Sequence, residues 1–107
     1  MSSAHCGRCN KTLSIGTDNR YPRHGDERGT CPLSYQRAPS FGDTERDWTH
    51  RSKVVADLAW QMRDCDPNGV RAYLEALPRE ELLRTAMVAL AGVPVDRRRE
   101  DIFAWVT

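Results

Sequence analysis

Apolar positions are spread unevenly along the chain: sparse and without helical period up to residue 42, dense and helically spaced from residue 52 onward. Thr44, with Asp47 three residues later, predicts a helix start, because the hydroxyl can accept an orphan amide while the carboxylate reaches back. That helix is expected to run to about Asp64, with Val54, Val55, Leu58, Ala59 and Met62 on one face. Asp66-Pro67 predicts a second start, and Val70, Tyr73, Leu74 and Leu77 then fall at the spacing of a buried stripe. Pro78 restarts the chain at once. Glu80 and Glu81 suit the positive end of a third helix, whose Leu82, Leu83, Ala86, Met87 and Leu90 are expected to face a core before Gly92 and Pro94 end it. Asp96 is expected to cap a last segment with Ile102, Phe103 and Val106 turned inward, leaving Arg97, Arg98 and Arg99 on its first turn.

The amino-terminal part reads differently. Gly7, Gly16, Gly25, Gly29 and Gly42 with Pro22, Pro32 and Pro39 punctuate it, and only Leu13 and Ile15 alternate cleanly with polar residues. A turn at Gly16-Thr17-Asp18-Asn19 followed by Arg20 to His24 predicts a short β-hairpin closed at residues 16–19. The expected fold class is therefore α+β: a small zinc ribbon or knuckle with a short hairpin over residues 1–42, then a bundle of three to four α-helices over residues 43–107.

Composition narrows the function classes. A chain of 107 residues is one ordinary domain or two very small ones, and 39% apolar with 29% charged residues is a globular balance. The net charge of +1 divides evenly, with seven basic and six acidic side chains in residues 1–50 and nine of each after that, so no basic or acidic tail advertises a partner. No apolar run approaches the roughly 20 residues needed to cross a bilayer, and the first residues lack an export pattern, so a cytoplasmic location is expected. No G-x-S-x-G, H-E-x-x-H or P-loop is present, and the carboxylates fall where caps and solvated faces need them. A non-enzyme is expected.

Cysteine spacing brings in the chemistry. Cys6 and Cys9 are separated by two residues, a spacing at which two thiolates bind one cation while turn amides donate to their sulfurs, and Asn10 tolerates the left-handed backbone found after such turns. His24 and Cys31 follow at distances that let loops close a tetrahedron. Cys6, Cys9, His24 and Cys31 are thus the expected ligands of a structural Zn²⁺ with no open position for a reactive water. His5 is too close to Cys6 in sequence to coordinate comfortably beside it, His50 reads as a surface or helix-start residue, and Cys65 as a half-buried side chain near a helix end. Forty residues with so few apolar side chains need such a staple, which is worth on the order of 10 kcal/mol in zinc peptides. The ribbon is expected to fold with its metal and the helices without it.

The run from Cys6 to Pro39, a C-x2-C, short hairpin, His and Cys-Pro-x-Ser, resembles small zinc-ribbon-like segments of actinobacterial and actinobacteriophage proteins. The helix punctuation Asp66-Pro67, Ala76-Leu77-Pro78 and Val93-Pro94-Val95-Asp96, with the terminal Ala104-Trp105-Val106, is similar to the same proteins. Cys31-Pro32-Leu33-Ser34 departs from them where a Gly-Ser step is usual. The resemblance implies a zinc site and assigns no biochemical role.

The expected function is that of a zinc-binding interaction module for a larger protein, a host protein if the chain is phage-borne. Trp48 and Arg97, Arg98 and Arg99 are its candidate partner contacts, since tryptophan and arginine anchor many interfaces. Trp60 and Trp105 are read as contacts or as core. The alternative is a nucleic-acid-binding regulator, using Arg8, Lys11, Arg20, Arg23, Arg28 and Arg37 with Arg97 to Arg99 on phosphate and Tyr21 on a base. Self-association through an exposed helix face is a further option.

Overall fold

The computed structural model describes residues 2–94, 96–102 and 104. Among the described residues, two small hairpins precede four helices: β1 (Ser2–His5), β2 (Thr12–Ile15), β3 (Gly25–Asp26), β4 (Gly29–Thr30), α1 (Glu45–Asp64), α2 (Pro67–Ala76), α3 (Arg79–Ala91) and α4 (Arg99–Ile102). The fold is α+β, with the hairpins amino-terminal and the helices carboxy-terminal, as expected.

The first hairpin is not closed at residues 16–19. β1 and β2 pair antiparallel with Ser2 opposite Ile15 and His5 opposite Thr12, so the Cys-x2-Cys turn is itself the connection. Cys6 N–H donates to the Lys11 carbonyl (2.8 Å) and Asn10 N–H to the Cys6 carbonyl (2.9 Å), with Asn10 at φ 60°. Residues 16–19 do turn, Asn19 N–H donating to the Gly16 carbonyl at 3.1 Å. The chain beyond them pairs elsewhere: Tyr21 N–H donates to Gln36 and Tyr35 N–H returns to Tyr21. β3 and β4 form a second hairpin inside the segment expected to be a loop.

The helix boundaries follow their caps. Thr44 and Asp47 form a complete capping box at α1, Asp66 caps α2 ahead of Pro67, and Gly92 ends α3. Packing departs from the expectation at α3. Its interior face carries Glu81 and Thr85, while Leu82, Leu83, Met87 and Leu90 are exposed, Leu90 by 72%. The reason lies on α1, where Arg51 is buried (1% exposed) and needs a carboxylate in reach. Its Nε donates to Glu81 Oε2 (2.6 Å) and its Nη2 to Glu81 Oε1 (2.9 Å), and Nη2 also donates to the Ser40 and Gly42 carbonyls. That requirement rotates the leucines of α3 outward. Trp60, on α1, is also exposed, so it does not fill the core. The inward-facing roles expected for Phe103 and Val106, and either role for Trp105, lie outside the described residues.

One apolar cluster draws on both parts of the chain. Cys6, Ile15, Tyr21, Cys31, Leu33 and Ala38 are buried together with Val54, Leu58, Val70, Ala72, Tyr73 and Leu77. Polar ties reinforce it. Asp57 on α1 accepts from Arg20 (2.9 Å) and Arg37 (2.8 Å), Gln36 and Gln61 exchange two amide hydrogen bonds, and Tyr73 donates to the Arg37 carbonyl at 2.8 Å. Gly7 lies so close to the carboxyl end of α2 that a Cβ there would run into the Ala76 carbonyl.

Candidate metal centre

Cys6, Cys9, His24 and Cys31 converge from four separate places in the amino-terminal part: the two ends of the β1–β2 turn, the approach to β3, and the exit from β4. Their ligand atoms all lie within 4.8 Å of one another. Cys6 Sγ stands 3.9 Å from Cys31 Sγ and 3.4 Å from His24 Nε2. A tetrahedron built on zinc–sulfur bonds of ~2.3 Å has edges of about 3.8 Å, so these separations suit a shared cation.

Backbone bonds set each ligand. The second hairpin brings His24 and Cys31 together, with Cys31 N–H donating to the His24 carbonyl at 2.7 Å. His24 turns Nε2 inward because Nδ1 lies 2.8 Å from the Pro22 carbonyl, an acceptor that fixes the proton on Nδ1. Ser34 supports the same residue through its backbone: its hydroxyl accepts from His24 N–H (3.0 Å) and donates to the His24 carbonyl (3.1 Å). The Tyr21 ring sits 5.8 Å from the imidazole and its hydroxyl donates to the His5 carbonyl, closing the cluster toward the core.

The thiols are not equivalent. Burial pushes Cys6 up, but the Cys9 amide, the His24 ring and the Arg8 amide together outweigh it and hold the thiol at about 7, below its ordinary 9.0. Burial drives Cys31 up to about 11, and the neighbouring thiols Cys6 and Cys9 add to that against the Leu33 amide. Burial, then the nearby sulfurs, likewise lifts Tyr21 to about 12. Three sulfurs this close repel one another as thiolates, and a divalent cation among them removes the conflict. Soft sulfur with one imidazole is a donor set for a borderline-soft metal ion.

A family profile matches residues 1–107, the whole chain. The chain belongs to DUF7368, a family of unknown function. No curated protein and no solved structure matches this DUF7368 chain.

The other candidate residues are placed as follows. His5 is exposed on β1 and pairs with Asn10 (3.2 Å), apart from the cluster. His50 lies 2.7 Å from the Ala38 carbonyl through Nε2, joining α1 to the preceding segment. Cys65 is exposed at the carboxyl cap of α1, not half-buried. Trp48 is half-buried with the Arg51 guanidinium over its ring, 4.4 Å from the centroid. Arg97, Arg98 and Arg99 are exposed before and at the start of α4, where Arg98 pairs with Asp101 and Arg99 with Glu100. Tyr21 is buried, so its ring face is not free to stack on a base. The Arg51–Glu81 pair escaped the sequence reading because its partners are thirty positions apart and each sits in an otherwise ordinary helical pattern. No helix among the described residues is long and apolar enough to cross a membrane.

Proposed function

We propose that the cluster holds one structural Zn²⁺ and that the protein is a non-catalytic, zinc-stabilised module that binds a larger protein. The resemblance to phage-borne proteins makes a host protein the preferred partner. The closed donor set carries this reading: four side chains of suitable softness fill a tetrahedral shell, leaving no position for an activated water. Zinc supplies charge neutralisation and a cross-link here, and the chain's own residues do the rest. Pro22 and Ser34 orient His24, and the amides of the β1–β2 turn receive the Cys6 sulfur.

A protein partner is favoured over nucleic acid by what the surface offers. Arg20 and Arg37 are spent on Asp57 and Tyr21 is enclosed, which removes three of the side chains a nucleic-acid reading needs. Meanwhile α3 exposes Leu83, Met87 and Leu90 together. The test is affinity capture with the tagged full chain and its Leu83→Glu/Met87→Glu variant, beside elemental analysis of both. The reading expects one zinc per chain in each, and a specific retained polypeptide that the variant loses. Zinc-free folded protein, or retention indifferent to the variant, overturns it. Steeply salt-dependent shifts of DNA or RNA favour the nucleic-acid alternative instead.

A further inference from the structure

The apolar face of α3 has a seam. At ~100° per residue, Arg79, Leu83, Ala86 and Leu90 fall in one line, at alternating spacings of four and three, with Leu82 and Met87 beside them. Met87 is 61% exposed and Leu90 more so, and the opposite face is committed to Arg51 through Glu81. A helix that buries its charge and shows its leucines has spent its polar face on its own chain.

We infer that the occupant of this seam is the α3 helix of a second copy, packed antiparallel about a two-fold axis. This rests on reading the stripe as an interface and assigns that face to a second copy in the free protein, so a larger partner docking there would have to displace it. Two observations select self-pairing. The seam is self-complementary: a two-fold between Ala86 and Met87 sets Leu83 against Leu90 of the second copy and small Ala86 against large Met87, a large-against-small match. The ends are complementary in charge as well. The last turn of α3 contains no basic residue to meet its negative end, whereas its first residue, Arg79, is in line with the seam. Antiparallel pairing lays each Arg79 against the carboxyl end of the other helix, whose last turn carries no basic residue. A parallel pair would place the two arginines side by side and leave both ends unmet.

The patch is four helical turns at most, small for an interface, so the expected affinity is weak, with a Kd of about 1–100 µM. Sedimentation of the purified full chain over a concentration series should show reversible dimerisation. Leu90→Glu should raise the Kd by at least about tenfold, while its circular dichroism stays unchanged because the side chain is exposed. Orientation is read separately on a Cys65→Ser background. Ala86→Cys should cross-link two copies readily, whereas Arg79→Cys should not, because antiparallel pairing holds those positions about 20 Å apart. A protein that stays monomeric throughout, a dimer indifferent to Leu90→Glu, or efficient cross-linking at position 79 overturns the inference. Monomers whose stripe variants still lose a captured polypeptide overturn self-pairing alone and leave the interaction reading standing.

Discussion

The Cys6–Cys9–His24–Cys31 cluster and the Arg51–Glu81 pair perform the same task in different parts of the chain. Each is a buried polar centre at a place where a larger protein would put aliphatic side chains. Their chemistry is opposite. The cluster gathers groups that repel one another once ionised and, on the proposed reading, relies on an outside cation, whereas the pair neutralises itself with two guanidinium–carboxylate bonds. With the proposed zinc, the first region is conditional on its metal; the second is conditional only on both partners being present.

Stripping the metal should have the largest effect. Because Cys6, Tyr21 and Leu33 share one apolar cluster with Val54, Leu58 and Tyr73, chelation or Cys9→Ser should lower helicity as well as loosen the ribbon. The loss is on the order of 10 kcal/mol, judged by zinc peptides. Far-ultraviolet circular dichroism during chelator titration checks this. Unchanged helicity would show two independent units, as the amino-acid pattern alone suggested, and would leave the helices free of any metal dependence.

The charged centre comes next. Glu81→Ala leaves Arg51 buried and unpaired and should cost about 3–5 kcal/mol, while Arg51→Met with Glu81→Leu should recover much of that loss. Urea denaturation of the zinc-loaded variants measures both, and zinc content should be unaltered in either. A double variant no more stable than Glu81→Ala would mean the pair adds more than charge balance.

Smaller effects mark the joint between the regions. Asp57→Asn removes the negative charge shared by Arg20 and Arg37, groups that are partly exposed and partly screened by water, for about 1 kcal/mol. Asp47 is held near 2 by hydrogen bonds from Ser40 and Thr44. Its folded value lies below the ordinary 3.8, so the capping box contributes stability above about pH 4 that is lost as pH falls toward 2. Asp47→Asn should flatten that part of the acid-unfolding curve. Cys65→Ser should change neither zinc stoichiometry nor melting.

Legibility followed locality. The helix starts at Thr44 and Asp66 and the stop at Gly92 were readable because each cap is written within four residues. The four members of the cluster were readable for a related reason: cysteine and histidine are scarce and their spacing is meaningful. The first hairpin was misplaced because its β1 strand, Ser2 to His5, carries only Ala4 as an apolar marker, and the metal turn itself supplies the connection. The face of α3 was inverted for a deeper reason. Leu82, Leu83, Met87 and Leu90 make the stronger periodic signal, and only the distant Arg51 makes Glu81 the better inward residue.

Zinc-edge X-ray absorption on the purified protein reads the donor shell of the proposed site itself. One zinc per chain is expected, in a shell of three sulfurs at about 2.3 Å and one nitrogen at about 2.0–2.1 Å. A shell of oxygen and nitrogen donors alone, or a folded protein that contains no zinc, would contradict it.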